Sequence, residues 1–276
     1  MGFVVDLTPP RLQVHLPSQL VPGSTLAALI TANEAVNAVW AELDQVRYQL
    51  VPWEEGYVLL APIPLSATPG PRQIRLHATD AQGNTGVWEG AVEVVSDSRS
   101  VQDITLPPGP AALLAPEAAE ARRQESELYN SSLGPVTPRR WQGPFLMPVT
   151  TDREISSSFG SRRTINGGPV HFHLGHDIPA PVGTPIVAPA PGLVVLARQV
   201  PVRGGLTVLD HGLGLYSAYF HQSALLVQEG QEVAIGQVIG QVGSTGLSTG
   251  PHLHWEMTFL EEPVNPLQWV GRLPWE

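Results

Sequence analysis

Hydrophobic and polar residues alternate in short runs through the first third of the chain, and this pattern predicts β-strands. The run from Gln73 to Thr79 places every second side chain on an apolar face, as in a half-buried strand. The turn Asp80-Ala-Gln-Gly83-Asn84 suits a hairpin because Gly and Asn tolerate positive φ. Strands are predicted at Arg11–Leu16, Thr25–Ala32, Val36–Leu43, Tyr57–Pro62, Arg72–Asp80 and Val87–Val95. Their even spacing predicts a β-sandwich over residues 1–97.

Residues 98–143 differ in composition and are predicted to be a linker with one short helix. The prolines of Pro107-Pro-Gly-Pro110 interrupt regular structure. A polar run rich in Glu and Arg, from Pro116 to Tyr129, predicts the helix and has Pro in its first turn.

Residues 144–276 return to short β-type runs separated by glycines, without a helical period. The predicted strands are Pro185–Ala188, Gly192–Arg198, Leu206–Asp210, Leu215–His221 and Gln237–Val242. The sequence therefore predicts a mainly β protein with two domains, residues 1–97 and 144–276.

Composition narrows the possible functions. The net charge of −10 argues against a nucleic-acid binder, and no apolar run reaches the length of about 18 residues that a membrane span needs. There is no cysteine, so a metal site would need nitrogen and oxygen ligands. There is also no lysine, which excludes Schiff-base chemistry and attachment of biotin or lipoate.

Histidines concentrate in the second domain, where seven of the nine lie between residues 171 and 254. His252 and His254 share one face of a predicted strand, and His221 ends another. Asp177 follows a stretch with three candidate ligands, His171, His173 and His176. Two His and one Asp are a usual ligand set for catalytic zinc, and two imidazoles would remain for proton transfer. Each group alone would more often be a surface pair or a structural histidine; their combination predicts a zinc site.

Several motifs, in order, resemble the lysostaphin-type (LytM-like) zinc metalloendopeptidases. The first motif runs from Phe172 to Ala188 and includes His173-Leu-Gly-His-Asp177; Phe159-Gly160 with Arg162 or Arg163 resembles the family's entry to the domain. The later motifs are Asp210-His-Gly-Leu-Gly214, Tyr219-Phe-His221, Gly236-Gln-Val-Ile-Gly240 and the run Gly243–His254. A departure is Gln222, where the family more often has Leu.

The resemblance implies an antiparallel β-sheet domain with an open groove, which binds one Zn²⁺ and cleaves peptides of bacterial cell-wall peptidoglycan. It implies His173, Asp177 and His254 as the zinc ligands and His221 and His252 as the catalytic imidazoles. Tyr216, Tyr219 and Trp255 are candidate groove walls or ordinary core residues. The alternative function is a non-catalytic peptidoglycan-binding or amidase-activator protein with the same fold.

Two further expectations concern the N-terminal part of the chain. The string from Ala78 to Thr85 resembles a turn of bacterial immunoglobulin-like modules, so the first domain is expected to be an immunoglobulin-like sandwich. Met1-Gly-Phe-Val-Val-Asp-Leu has no basic region or small-residue cleavage site of an export signal. A periplasmic or extracellular location, which the function favours, would therefore need a signal absent from this chain.

Overall fold

The computed structural model describes residues 6–54, 56–97, 99 and 101–276, which form two compact units. Residues 1–97 with 274–276 make the N-terminal unit, and residues 98–273 make the C-terminal unit. The first five residues, which belong to the segment considered for an export signal, lie outside the described part. No helix among the described residues combines the length and the apolarity that crossing a bilayer requires.

The N-terminal unit is built from two sheets. Its strands are β1 (Leu12–His15), β2 (Gln19–Leu20), β3 (Thr25–Ala32), β4 (Ala38–Leu43), β5 (Val46–Gln49), β6 (Val51–Trp53), β7 (Gly56–Pro62), β8 (Gly70–Thr79) and β9 (Thr85–Val94). One sheet has the order β1-β3-β7-β6 and the other the order β2-β9-β8-β4-β5. The sequence missed β2, β5 and β6, because none of them is long enough to show a period.

One hydrophobic core joins the two sheets of this unit. Ile30 and Leu59 come from the first sheet and Leu76 from the second, and all three are fully buried in a single cluster. The β8–β9 turn is closed by the Asp80 carboxylate, which accepts hydrogen bonds from the backbone N–H groups of Gln82 and Asn84. Two sheets around one core make a sandwich; the immunoglobulin-like topology stays a prediction.

The C-terminal unit is also mostly β. Its elements are β10 (Val101–Ile104), α1 (Pro108–Ala112), a 3₁₀ turn (Pro116–Ala118), α2 (Ala119–Ser132), β11 (Arg162–Ile165), β12 (His171–Phe172), β13 (Gly175–Pro179), β14 (Pro185–Val187), β15 (Gly192–Val200), β16 (Gly204–Gly212), β17 (Leu215–Gln222), β18 (Ala224–Leu225), β19 (Glu232–Val233), β20 (Val238–Gln241), β21 (His252–Phe259), β22 (Glu262–Val264) and a 3₁₀ turn (Pro266–Trp269). A large antiparallel sheet with the order β13-β21-β17-β16-β15-β19 forms its centre.

The segment predicted as a linker contributes structure to this same unit. Strand β10 pairs in parallel with β11, which the proline-rich surroundings did not predict. Helix α2 begins near the predicted position and extends three residues beyond Tyr129. Arg123 forms ion pairs with Glu120 and Glu127 on its exposed side, at the i,i+3 and i,i+4 spacings that support a helix. Glu125 and Tyr129 are buried on its other side.

Helix α2 covers one face of the central sheet. Tyr129 packs with residues of β15, β16 and β17 in one cluster that includes Leu196, Leu206 and Phe220. The helix is therefore held mainly by this apolar contact, because a 14-residue polar helix is marginal in isolation.

We expect Leu76→Ala to lower the free energy of unfolding of the N-terminal unit by about 2–5 kcal/mol, since it leaves a cavity in a fully buried position. Urea denaturation followed by circular dichroism measures the change. Val87→Ala is the control, because Val87 lies one strand away on β9 and is 54% exposed. Equal stability of the two variants would contradict the sandwich core.

Candidate metal centre and active site

Three side chains predicted as metal ligands meet at one point of the C-terminal unit. Strands β13 and β21 pair so that Asp177 faces His254, and His173 lies in the turn before β13. Asp177 Oδ1 is 2.7 Å from His254 Nδ1 and 3.1 Å from His173 Nε2, and these two nitrogens are 2.9 Å apart. Three donor atoms separated by about a hydrogen-bond length can share one cation.

Glycine is required beside this cluster because two strands approach closely there. A Cβ atom on Gly175 would lie 2.4 Å from the backbone oxygen of Trp255 and 2.9 Å from His254 Nε2. Any side chain at this position would therefore push β13 away from β21. The Gly of the His173-Leu-Gly-His-Asp177 motif thus keeps the carboxylate and the imidazole in register.

The outer hydrogen bonds of the two histidines decide which nitrogen each offers to a metal. His173 Nδ1 lies 3.1 Å from the carbonyl oxygen of Ser158, and a carbonyl can only accept, so Nδ1 carries the proton. His254 Nε2 donates in the same way to Glu256 Oε1, at 2.9 Å. His173 therefore presents Nε2 and His254 presents Nδ1 toward Asp177.

This donor set fits a zinc ion. When both imidazoles are neutral, the facing nitrogens and the Asp177 oxygen offer lone pairs to one another and no hydrogen, an arrangement that a cation would stabilise. Two imidazole nitrogens and one carboxylate are a known ligand set for catalytic zinc, and a fourth position remains for water or substrate. The second hydrogen bond on each imidazole is the usual support of a metal-binding histidine.

Electrostatics at the cluster favour positive charge. Burial lowers the pKa of His254, but the hydrogen bonds to Asp177 and Glu256 outweigh burial and raise it to about 9. Burial raises the pKa of Asp177, but its contacts with His173 and His254 hold it well below its usual range. The carboxylate is therefore ionised at neutral pH, and a proton at His254 occupies the place for which a metal cation would compete.

Two further imidazoles, the predicted catalytic pair, lie beside this cluster. The rings of His221 and His252 are 4.8 Å apart, and His252 Nε2 is 3.6 Å from Asp177 Oδ1. His221 Nδ1 donates to the carbonyl of Thr245, and His252 Nδ1 donates to that of Gly250. Both rings therefore use Nδ1 for these contacts and leave Nε2 free of them.

The backbone at His221 has an unusual conformation, which sets the direction of its side chain. His221 has φ of 62°, a left-handed conformation that is uncommon for a residue with a side chain. The pairing of β16 with β17 is irregular between Gly205 and Thr207, opposite this residue. Burial, followed by the charges of His252 and His254, lowers the pKa of His221 to about 3. The imidazole of His221 is thus neutral at physiological pH.

All five residues line one groove with a volume of about 350 Å³. Its walls come from several segments, including β10, α2, β11, β12 and the loop before β21. The groove is lined by Ile104, Leu106, Arg122, Ser126, Arg163, Ile165, His171, Phe172, Leu174, Val202, Arg203, Phe220, Leu247, Ser248, Thr249 and Glu256 in addition to the five. Apolar walls around a polar floor are typical of a site for small molecules or peptides.

The other histidines of the second domain lie outside the cluster. His176 is buried and contacts the backbone N–H of Phe159 and the side chain of Asn265. His171 is exposed on the groove rim. His211 is buried between the carbonyl of Pro191 and the hydroxyl of Ser217, and burial lowers its pKa to about 4. Of the three candidates near Asp177, His173 is therefore the one that meets Asp177 and His254.

The aromatic residues considered as groove walls are part of the core instead. Tyr219 and Trp255 are fully buried and Tyr216 nearly so, and none of the three lines the groove. Side chains alternate along a strand, so Trp255 points away from the face that carries His254. Phe220, one residue after Tyr219, stacks on the His254 ring at 4.8 Å.

The sequence analysis gave no role at the site to two residues that contact the cluster, Glu256 and Arg163. Glu256 lies two residues after His254 on β21, and this i,i+2 spacing was a signal that it shares a face with the histidines. Arg163 Nη2 donates to Asp177 Oδ2, at 2.5 Å.

Gln222, the departure from the family pattern, is fully buried and donates to Thr207 and to the carbonyl of Tyr219, so it acts in packing.

Comparison with known proteins agrees with this geometry. Residues 171–266 match the model of Peptidase family M23. The peptidoglycan DD-endopeptidase ShyA of Vibrio cholerae is 41% identical over 125 residues, which are 44% of this chain and 28% of that protein. The DD-carboxypeptidase/endopeptidase Mpg of Neisseria meningitidis is 40% identical over 126 residues, 46% of this chain and 29% of that protein. The chain thus spans less than a third of the length of these relatives.

A solved structure extends the likeness beyond the family region. A candidate M23 peptidase from Pseudomonas aeruginosa superposes with a TM-score of 0.66 at 28% identity, covering 91% of this chain and 95% of that one. The motifs that resembled lysostaphin-type enzymes fall within or next to the matched residues. The C-terminal unit thus contains a Peptidase family M23 domain at residues 171–266, in agreement with the lysostaphin-type motifs of the sequence.

Proposed function

We propose that this protein is a zinc-dependent endopeptidase that hydrolyses peptide bonds of bacterial peptidoglycan. The observation that carries the proposal is the convergence of His173, Asp177 and His254 in a groove that also holds two further imidazoles. The relatives ShyA and Mpg are named as peptidoglycan DD-endopeptidase and DD-carboxypeptidase/endopeptidase, which supports this substrate class.

We assign the metal to His173 Nε2, Asp177 Oδ1 and His254 Nδ1, with one zinc ion per chain. Zinc bound there would polarise the scissile carbonyl and lower the pKa of water at the fourth position. Ser158 and Glu256 orient the two ligand imidazoles, and Arg163 holds the second oxygen of Asp177.

His221 and His252 supply the acid–base chemistry of this proposal. One unprotonated Nε2 takes the proton of the attacking water and returns it to the departing amine, a role typically worth about 10²–10⁴-fold in rate. The other imidazole stabilises charge on the carbonyl oxygen. The carbonyls of Thr245 and Gly250 hold the two rings so that both Nε2 atoms face the cavity.

The apolar rim suits a peptide substrate. Phe172 and Leu174 are more than one-third exposed beside the metal ligands, so they can contact an extended peptide. The names of the relatives make a cross-link between D-amino acids the first bond to test. Peptidoglycan lies outside the cytoplasmic membrane, so this function places the protein in the periplasm or the extracellular cell envelope.

We expect His221→Ala and His252→Ala each to lower the turnover of purified peptidoglycan by at least about 100-fold, since each removes a proton-transfer or charge-stabilising group. Both should keep about one zinc per chain by atomic absorption, because neither is assigned as a ligand. His254→Ala should lose the metal. Mass spectrometry of the released fragments identifies the bond that is cleaved.

Two results would contradict these assignments. Loss of zinc from His221→Ala or His252→Ala would make that residue a ligand. A native protein that binds zinc but releases no fragments from any wall would exclude the enzyme and leave a binding module.

We expect the zinc affinity of the metal-free protein to rise with pH between 6 and 8. Zinc must displace the proton on His254, whose pKa is raised to about 9, so the apparent affinity should increase by about one log unit per pH unit and level off near the pKa. Competition with a chromophoric chelator at each pH measures the slope. A zinc affinity that stays constant over this pH range would show that zinc displaces no proton from His254.

A further inference from the structure

A buried hydrogen bond links helix α2 to the side chains around the candidate metal site. Tyr129 Oη donates to Glu256 Oε2 at 3.0 Å, and the other oxygen of Glu256 accepts from His254 Nε2 at 2.9 Å. All three residues are at most 8% exposed. Tyr129 lies outside the residues matched by the family model, so this contact comes from the segment predicted as a linker.

The tyrosine is held in place from two sides. The Glu125 carboxylate, on the same helix, accepts hydrogen bonds from the backbone N–H groups of Val202 and Arg203 and from the Arg203 guanidinium. That guanidinium lies over the Tyr129 ring at 4.2 Å and over the Phe220 ring at 5.3 Å. The phenol hydroxyl is thereby fixed opposite Glu256.

A fixed donor matters because Glu256 must hold His254 in one orientation. A carboxylate with one oxygen on the imidazole can still rotate about its side-chain bonds, whereas a carboxylate held at both oxygens cannot. Partners of this kind set the tautomer of a metal-binding histidine, and losing one typically costs about 10–100-fold in metal affinity.

We propose that Tyr129 is a positioning residue for the metal centre, which acts through Glu256 to keep His254 presenting Nδ1 to the metal. The hydrogen bond between Tyr129 and Glu256 then both holds helix α2 on the sheet and supports the affinity for zinc. This inference rests on the zinc site of the proposed function.

The test is Tyr129→Phe in the full chain, which removes the hydroxyl and keeps the ring. We expect the zinc dissociation constant, measured by chelator competition on the metal-free protein, to rise about tenfold, at the lower end of the range for such partners. The NMR signal of the His254 Nε2–H in the zinc-loaded protein should shift and exchange faster with water. An unchanged zinc affinity together with an unchanged signal would overturn the proposal.

Tyr216→Phe is the matched control. Tyr216 belongs to the same apolar cluster as Tyr129, but its hydroxyl donates to the carbonyl of Pro135 and not to Glu256. This variant should keep the native zinc affinity and the native His254 signal. A tenfold weaker zinc affinity in Tyr216→Phe would show that general loosening of the segment, not the Glu256 contact, is responsible.

A double-substitution cycle separates a direct path through Glu256 from a structural effect. Glu256→Gln should weaken zinc binding by about 10–100-fold, and adding Tyr129→Phe should then weaken it by less than about twofold, because the carboxylate contact is already lost. Fully additive effects would contradict the path. If the native protein bound no zinc, the proposed function would fail; if it bound zinc and Tyr129→Phe matched it, this inference alone would fail.

Discussion

The pairing of β13 with β21 is the constraint on which the functional site depends. Backbone hydrogen bonds place Asp177 directly opposite His254, so a carboxylate and an imidazole far apart in sequence are held at hydrogen-bond distance. The close approach is possible because Gly175 has no side chain to meet Trp255. His173, at the end of the preceding turn, completes the set. A local break in this strand pairing would separate the carboxylate from the imidazole.

Around this pair, hydrogen bonds on the outer side of each imidazole orient the ring. Each of the four imidazoles in the cluster has one nitrogen bound to a carbonyl or a carboxylate, which leaves the other nitrogen facing the cavity. The acceptors are backbone groups in three cases and Glu256 in the fourth. The orientation of the rings is therefore mostly encoded in backbone geometry, including the left-handed conformation of His221, and it depends less on neighbouring side chains.

The sequence predicted much of this arrangement for identifiable reasons. Long strands such as β3 and β8 show a clear apolar period, and the i,i+2 spacing of His252 and His254 gives them a common face. Short strands such as β10 have too few residues for a period, and a parallel partner 61 residues away leaves no local signal. The choice of His173 over His171 and His176 depended on family motifs, because only the fold determines which ring turns inward. Tyr219 and Trp255 show the same limit, since alternation on both central strands places them on the opposite face.

Helix α2 and strand β10 also have a consequence for how the C-terminal unit can be isolated. The apolar surface formed by Leu196, Leu206 and Phe220 is covered by Tyr129, and one groove wall is formed by Ile104 and Leu106. A recombinant fragment trimmed to residues 171–266 would leave that surface open to solvent and the groove without one wall. Expression boundaries for this molecule are therefore better chosen upstream of Val101 than at the edge of the residues that match the family.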